Sequence, residues 1–503
     1  MSQIIKAASV LLARGSGPAE LFIVRRAEGL RFFGGFMAFP GGKVHAADHE
    51  LLSVPAESLR ERYVTAAREL FEETGVLLAR KPDGSYPPSG SVLNYLRRKM
   101  ATEDLPFAEV LTRLDLSLHN GDFALLGNIT TPPFVPTRFD TAFFVAHLPA
   151  NQSAEVWEGE LVGGEWATAD AVLELWTRGE WLVSPPTVAL LEAIRGQPIE
   201  AIAHHLAVVL GDRPDDDIPA IYFAPLVQMI PLYTQALPPS THTNAYLVGS
   251  GPVYLIDPGT ALPQEQNRLF ALLDARQQKG RPLTAVVLTH HHPDHIGAAA
   301  TCAIRYGVPI YAHPRTAEKL RGKIPVDRLL QDGDHLDLGL APDGSGPWHL
   351  EAIYTPGHAI GHLAFYERHY RLLFAGDMVS TLSSVVIAPP EGDLAQYLDS
   401  LRRLRSYDCR LLLPAHGSPS ARSAKTIDDC IAHRLRREGQ LLAELNASPR
   451  SAADLARELY KGLAPTMMRF AELQVLAGLQ KLERESRVHA SGEGENRQWS
   501  CGA

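Results

Sequence analysis

The stretch 289–297, Thr-His-His-His-Pro-Asp-His-Ile-Gly, constrains this chain more than any other. It follows an apolar, β-branched run at 283–288, so the histidines leave the end of a buried strand and enter a loop. His290, His292, Asp294 and His295 then stand at the spacing His-x-His-x-Asp-His. A tight turn with that spacing aims two imidazoles at one metal, and a carboxylate plus a third imidazole at a second metal about 3.5 to 4 Å away. Such donors suit two zinc ions, and iron or manganese is compatible with them. The plain alternative is a histidine-rich surface turn. Four ligand-type residues in six positions directly after a strand weigh against it.

Later polar residues share one habit, because each follows a hydrophobic run. Residues 349–354 deliver His358, 372–375 deliver Asp377, 411–413 deliver His416, and 253–256 end in Asp257. Side chains far apart in sequence then meet along one edge of a β-sandwich, on rigid elements. Together they resemble the metallo-β-lactamase superfamily. The resemblance implies an αββα sandwich in which His290, His292 and His358 hold one zinc, Asp294, His295 and His416 hold the other, and Asp377 bridges. It also implies Asp257 as a carboxylate behind the ligands, and a metal-bound hydroxide as nucleophile, oriented by Asp294. That superfamily cleaves thioesters, phosphodiesters and lactams with one metal core, so no lactam specificity follows. His313 and His362 are expected in structural or substrate-wall roles, His242 in a solvated loop near the entrance, and His291 facing away.

The N-terminal part carries a different chemistry. Strand-like runs at 7–13 and 21–24 lead into Arg25, Arg26 and a glycine-rich aromatic passage ending in Phe39, Pro40, Gly41 and Gly42. Such glycines let backbone approach backbone or ligand. Residues 68–76, Arg-Glu-Leu-Phe-Glu-Glu-Thr-Gly-Val, open with helix formers and stop at a glycine. Glu69, Glu72 and Glu73 lie at i, i+3 and i+4, which puts three carboxylates on one helical face. Like charges so arranged cost stability, and a hard cation, magnesium or manganese, is their natural partner. A solvated acidic face is the alternative.

The segment has the form Arg-Glu-U-x-Glu-Glu-x-Gly-U, with U aliphatic, and resembles the Nudix box. This implies an α/β/α sandwich in which Arg68, Glu69, Glu72 and Glu73 serve metal-dependent diphosphate hydrolysis. Upstream, Arg26, Arg31, Gly35, Gly41 and Gly42 are similar in spacing to the signature of coenzyme A and acyl-CoA diphosphatases, and are implied substrate contacts. Residues 138–146 and 181–186 resemble the same branch. There are departures. Arg60 stands where the box has a glutamate, about a dozen extra residues separate Gly42 from Arg68, and Phe22, Ile23 and Val24 replace the first positions of the signature. Glu57 or Glu61 is expected to supply the displaced carboxylate. Glu165 is either a general base or a plain surface glutamate.

At 503 residues the chain is long enough for about three domains. The expected division is residues 1–200, a linker at 201–221 containing the acidic run 212–217, a second domain at 222–424 and a tail at 425–503. A net charge of −9 gives no global attraction to nucleic acid or anionic membrane. Cys302, Cys409, Cys430 and Cys501 are scattered and read as ordinary thiols. No apolar stretch is long enough to span a membrane, and a cytoplasmic protein is expected. Residues 81–118 read as an inserted or lid-like element whose role is left open.

In the tail, helices are expected from His433, over 451–460 and over 466–485, followed by a wing at 487–489. This winged-helix pattern resembles the lactamase-beta-2-like group, which includes single-stranded RNA endonucleases. Eleven Lys and Arg against nine Asp and Glu from Ile431 onward favour a packing or substrate-covering module over a nucleic-acid reader. The reading is a bifunctional metal-dependent hydrolase for small molecules: a Nudix diphosphatase on a CoA- or nucleoside-diphosphate-linked substrate, joined to a dinuclear zinc hydrolase of a thioester or related ester. The alternative is an endoribonuclease whose Nudix domain hydrolyses nucleotides or senses a ligand.

Overall fold

The computed structural model describes residues 4–15, 18–30, 33–49, 58–132, 135, 137–198, 201–202, 221–494 and 497–501. Two compact units divide the chain, Met1–Pro225 and Leu226–Ala503.

In the first unit the strand Ile4–Arg14 runs parallel to Arg138–His147 and antiparallel to Glu20–Arg26 and Gly41–Lys43. Side chains alternate across a strand. Ala8, Val10, Leu12, Phe22 and Val24 therefore face one core, shared with Val64, Ala67, Leu70 and Phe71 of the helix Ser58–Thr74. Leu11, Ala13, Leu21 and Ile23 face the opposite core, under the helices Ala169–Thr177 and Pro185–Ala193. Helices on both faces of a mixed sheet make an α/β/α sandwich.

The segment expected as an inserted or lid-like element forms the helices Ser91–Glu103 and Phe107–Arg113. Leu93, Leu96, Phe107 and Val110 are buried in the first core. Arg97, only 2% exposed, donates to the carbonyls of Glu72 and Glu155 at 2.9 Å each and lies 4.1 Å from the Trp157 ring. Apolar residues at 93, 96 and 100 form one helical stripe, and burying it anchors the segment.

Among the described residues the second unit holds two large sheets and a two-stranded one at its C-terminal end. One includes Arg328–Leu329, Ile310–Ala312, Ala285–Val287, Tyr254–Ile256, His242–Val248 and Val227–Tyr233, in that spatial order. The other runs His335–Leu340, Pro347–Tyr354, Leu363–Glu367, Leu372–Ser380, Leu411–His416. They are fastened where Asn244 Nδ2 and Tyr246 Oη both donate to the Pro414 carbonyl, at 2.9 and 2.8 Å. The pair of sheets with helices such as Pro263–Gln278 and Leu394–Arg405 gives the αββα sandwich.

The first helix of the tail begins earlier than the sequence suggested. It is Ser423–Ala447, not a helix from His433. Ile427 is buried in the core under the second sheet with Cys430 and Ile431 packed beside it, whereas Leu441 and Leu445 lie in a separate core with Leu455, Val475, Leu479 and Trp499. One helix thus serves two cores. The helices Ala452–Leu459 and Pro465–Arg484 and the hairpin Val488–Ser491 with Gln498–Cys501 complete a winged-helix domain. Among the described residues no helix is long and apolar enough to cross a membrane.

Candidate metal centre

Asp257 leaves the strand Tyr254–Ile256 in the left-handed region, which aspartate tolerates better than most residues. Its carboxylate is 2% exposed and accepts three hydrogen bonds: from Thr289 N at 2.8 Å, Thr289 Oγ1 at 2.6 Å and His295 Nδ1 at 2.8 Å. Because Thr289 Oγ1 donates to Asp257, its lone pair takes the Nδ1 proton of His290, 2.9 Å away. His290 and His295 therefore both turn Nε2 toward the other ligand-type residues. His292 caps the short helix Pro293–Ile296, which carries Asp294 and His295.

The two ends of the chain segment converge here. His290 Nε2 and His358 Nε2 each lie 2.9 Å from His292 Nδ1. Asp377 Oδ2 is 3.4 Å from His358 Nε2, while its Oδ1 lies 3.4 Å from His295 Nε2 and 3.3 Å from His416 Nε2. Asp294 Oδ2 sits 3.4 Å from His416 Nε2. The ligand-type atoms of His290, His292 and His358 lie within 4.8 Å of one another, as do those of Asp294, His295 and His416, and those of His290, His295 and Asp377. Asp377 is the carboxylate between the two sets.

The donors fit metal ions. His295 Nε2 and Asp377 Oδ1 are buried without a hydrogen-bond partner. Leaving such atoms unsatisfied costs about 1–3 kcal/mol each, and a bound cation removes that cost. Far nitrogens are occupied: His358 Nδ1 donates to the Val386 carbonyl and His416 Nδ1 to the His242 carbonyl, both at 2.9 Å. Burial, then the surrounding imidazoles, pushes His290 well below the usual histidine range, and His292 down to about 3. Both therefore present lone pairs. For His295 and His416 burial pulls the same way, but Asp377 and the other carboxylates outweigh it and raise both.

His362 is a buried brace. Its Nδ1 bonds Thr355 Oγ1 at 2.8 Å and its Nε2 accepts the Asp377 N–H at 3.1 Å. Gly376, at φ +50, makes room, since a Cβ there would stand 2.5 Å from His362 Nε2. His313 caps the helix Pro314–Leu320 and stacks on Tyr354 at 4.3 Å. His242 contributes its carbonyl to His416, and its ring, lowered by burial to about 4, packs on Tyr233. His291 points to Glu391, 3.1 Å away.

In the first unit Arg68, 4% exposed, is the hub. Its guanidinium donates to Asp48 at 2.7 and 3.0 Å, to Glu69 and Glu72 at 2.9 Å each, and to the Lys43 carbonyl at 2.8 Å. Glu73 accepts the Gly41 N–H at 2.8 Å. A Cβ on Gly42 would lie 2.2 Å from Glu69 Oε1, and one on Gly41, at φ +155, 2.3 Å from the Ala8 carbonyl oxygen. Gly42 thus clears space for Glu69, and Gly41 lets the chain approach the strand Ile4–Arg14 closely. Burial raises Glu69, raises Glu72 to about 7 and raises Glu73 to about 8, with Glu69 adding repulsion to the last two. Arg26 favours the charged form of Glu73, and its carbonyl accepts the Gly35 N–H at 3.0 Å.

Asp48 supplies a buried carboxylate that meets Arg68, and among the described residues Glu61 does not. Glu61 pairs with Lys6, while Glu57 and Arg31 lie outside the described residues. Glu165 pairs with Ile23 on the strand Leu161–Thr168, so its exposed side chain lies on the sheet face opposite the one that receives Ser58–Thr74. It is not brought to the cluster. Glu160 is the further glutamate whose charge reaches Glu69 and Glu73.

Comparison with known proteins agrees with this geometry. Residues 239–416 match the Metallo-beta-lactamase superfamily, and residues 451–499 the Beta-lactamase associated winged helix domain. A hydroxyacylglutathione hydrolase of Bdellovibrio bacteriovorus is 31% identical over 159 residues, 31% of this chain and 55% of that protein. The chain thus spans about half the length of that relative. A β-lactamase domain protein from Burkholderia ambifaria shares the fold, with a TM-score of 0.50 and 22% identity over 58% of this chain and 96% of that one. A NUDIX hydrolase from Alicyclobacillus acidocaldarius aligns with 40% of this chain and 97% of its own, at 28% identity and a TM-score of 0.37. The second unit carries a metallo-β-lactamase-fold hydrolase domain followed by a winged-helix domain.

Two outcomes follow for the first unit. Asp48→Asn leaves the buried Arg68 without its full counter-charge and is expected to cost about 3 kcal/mol in urea unfolding. Between the ordinary glutamate range and about pH 8 the folded unit binds protons at Glu72 and Glu73 that the unfolded chain has released. In chelator-treated protein its stability should therefore fall as pH rises through that window, and Glu73→Gln should flatten the slope of melting temperature against pH.

Proposed function

We propose that this chain is a two-site hydrolase of acyl-CoA-type molecules, with a dinuclear zinc centre for the thioester and a magnesium- or manganese-dependent Nudix site for the diphosphate. The observation that carries the first half is Asp377, set between the His290, His292, His358 group and the Asp294, His295, His416 group with one buried oxygen unpartnered. When bound, zinc supplies a water activated near neutral pH and a Lewis-acid contact for the attacked oxygen. The chain's own residues do the positioning. Asp257 and Thr289 set His290 and His295, the Val386 and His242 carbonyls set His358 and His416, and His362 holds the Asp377 backbone. Water adds to the acyl carbon, the C–S bond breaks, and acid and free thiol leave.

The Nudix half is supported by the clustering of Asp48, Glu69 and Glu72 around Arg68, with Glu73 within reach of the Glu69 charge and Glu72 the most open of the carboxylates that Arg68 contacts. Raised carboxyls in a like-charged group favour a divalent cation, which replaces the bound protons. Arg26 and Gly35, paired through their backbones, belong to the CoA-type pattern and supply a cation beside Glu73. The named substrate of the Bdellovibrio relative, hydroxyacylglutathione, is an acyl conjugate of a thiol, in keeping with a thioester at the zinc site.

Acyl-CoA incubated with wild type, Glu72→Gln and His292→Ala, each supplied with zinc and magnesium, separates the halves. Mass spectrometry should show His292→Ala losing free CoA thiol and Glu72→Gln losing phosphopantetheine products, each by at least about 100-fold. Wild type releasing neither product overturns the CoA reading. Cleavage of single-stranded RNA that is lost in His292→Ala would then establish the nuclease alternative.

A further inference from the structure

Three tail residues reach the segment that orients His358. His358 Nδ1 donates to the Val386 carbonyl at 2.9 Å, which turns Nε2 toward His292 and Asp377. Residues 385–387 lie outside any helix or strand, so their own secondary structure does not hold that carbonyl. The tail holds it instead. Arg434, 3% exposed and 5.3 Å from the Tyr397 ring, donates to the Val385 carbonyl. Gln474 Oε1 accepts the N–H of Ile387 at 2.9 Å. The two bonds bracket Val386 from the helices Ser423–Ala447 and Pro465–Arg484. A third link approaches from the other side. Arg484 donates to both carboxylate oxygens of Asp393, at 2.6 and 2.9 Å, and the Asp393 N–H bonds the carbonyl of Gly357, the residue before His358, at 2.8 Å.

We infer that Arg434 and Gln474 are positioning residues of the three-imidazole half of the metal centre, so that docking of the winged-helix tail sets how tightly that half holds its ion. The inference rests on the dinuclear reading above. Ile387 is fully buried, and removing its acceptor leaves an N–H to find another partner, which moves residues 385–387. A displaced Val386 carbonyl releases the His358 Nδ1 proton from its fixed place, and Nε2 then no longer meets His290 and His292 at one point. Loss of a group behind a metal ligand typically weakens the ion about 10- to 100-fold. His295 and His416 are oriented from Asp257 and His242, so the second ion should be spared.

The test titrates zinc chloride into the metal-free full chain in competition with a chromophoric chelator, with native mass spectrometry counting ions. Gln474→Met should weaken one of two ions about 10- to 100-fold, and Gln474→Glu, which keeps the acceptor oxygen, should restore it. Arg457→Ala, an exposed tail change remote from residues 385–387, should change neither ion. Two ions bound at wild-type affinity in Gln474→Met, equal weakening of both ions, or no recovery in Gln474→Glu would each overturn the inference. Should Gln474→Met not fold, Arg484→Ala takes its place, because that side chain is half exposed; it should weaken the same ion, and unchanged binding overturns the inference. A wild-type chain that binds fewer than two zinc ions instead sinks the dinuclear reading, and the inference with it.

Discussion

The buried carboxylate of Asp257 is the constraint on which the second unit's site depends. A charge this deeply buried is costly unless it is fully hydrogen-bonded, and its three donors all come from Thr289 and His295. The cost is offset only when the loop 289–295 takes this conformation. One negative group thus selects the loop, and through Thr289 Oγ1 it also selects the tautomer of His290.

The same principle recurs at two more imidazoles and at Asp377. His358 and His416 are turned by backbone carbonyls, and Asp377 is placed from behind by the ring of His362. Ligand atoms held in this way need little rearrangement to meet an ion, which is what a rigid supporting layer contributes to a site. The first unit solves a different problem. Its carboxylates repel one another, so they need a counter-charge more than an orienting proton, and Arg68 supplies it while Asp48 fixes Arg68.

The tail shares in this construction. The helix Ser423–Ala447 buries Ile427 under the second sheet and Leu441 in the winged-helix core, so the two cores are joined by continuous, hydrogen-bonded backbone. Its near-balanced charge suits a module that packs and positions. Arg434, Gln474 and Arg484 spend their polar groups on residues 385, 387 and 393.

The ligand types, their spacing in 289–295 and the carboxylates at 69, 72 and 73 were legible in the sequence, because a single turn or helix face places such residues together whatever the rest of the chain does. So were the sheets, through apolar runs that end in polar residues. Other features lay beyond local pattern: Asp48 as the partner of Arg68, His362 behind Asp377, Glu165 on the wrong face of its sheet, the start of the tail helix at Ser423 and the burial of the helix Ser91–Glu103. Each is decided by distances between residues remote in sequence. Sequence by itself determined which chemical groups this protein has and which of them are neighbours along a turn. Only the tertiary structure decided which buried charge meets which donor, because close packing and the cost of an unpaired polar group act across the whole core and not along the chain.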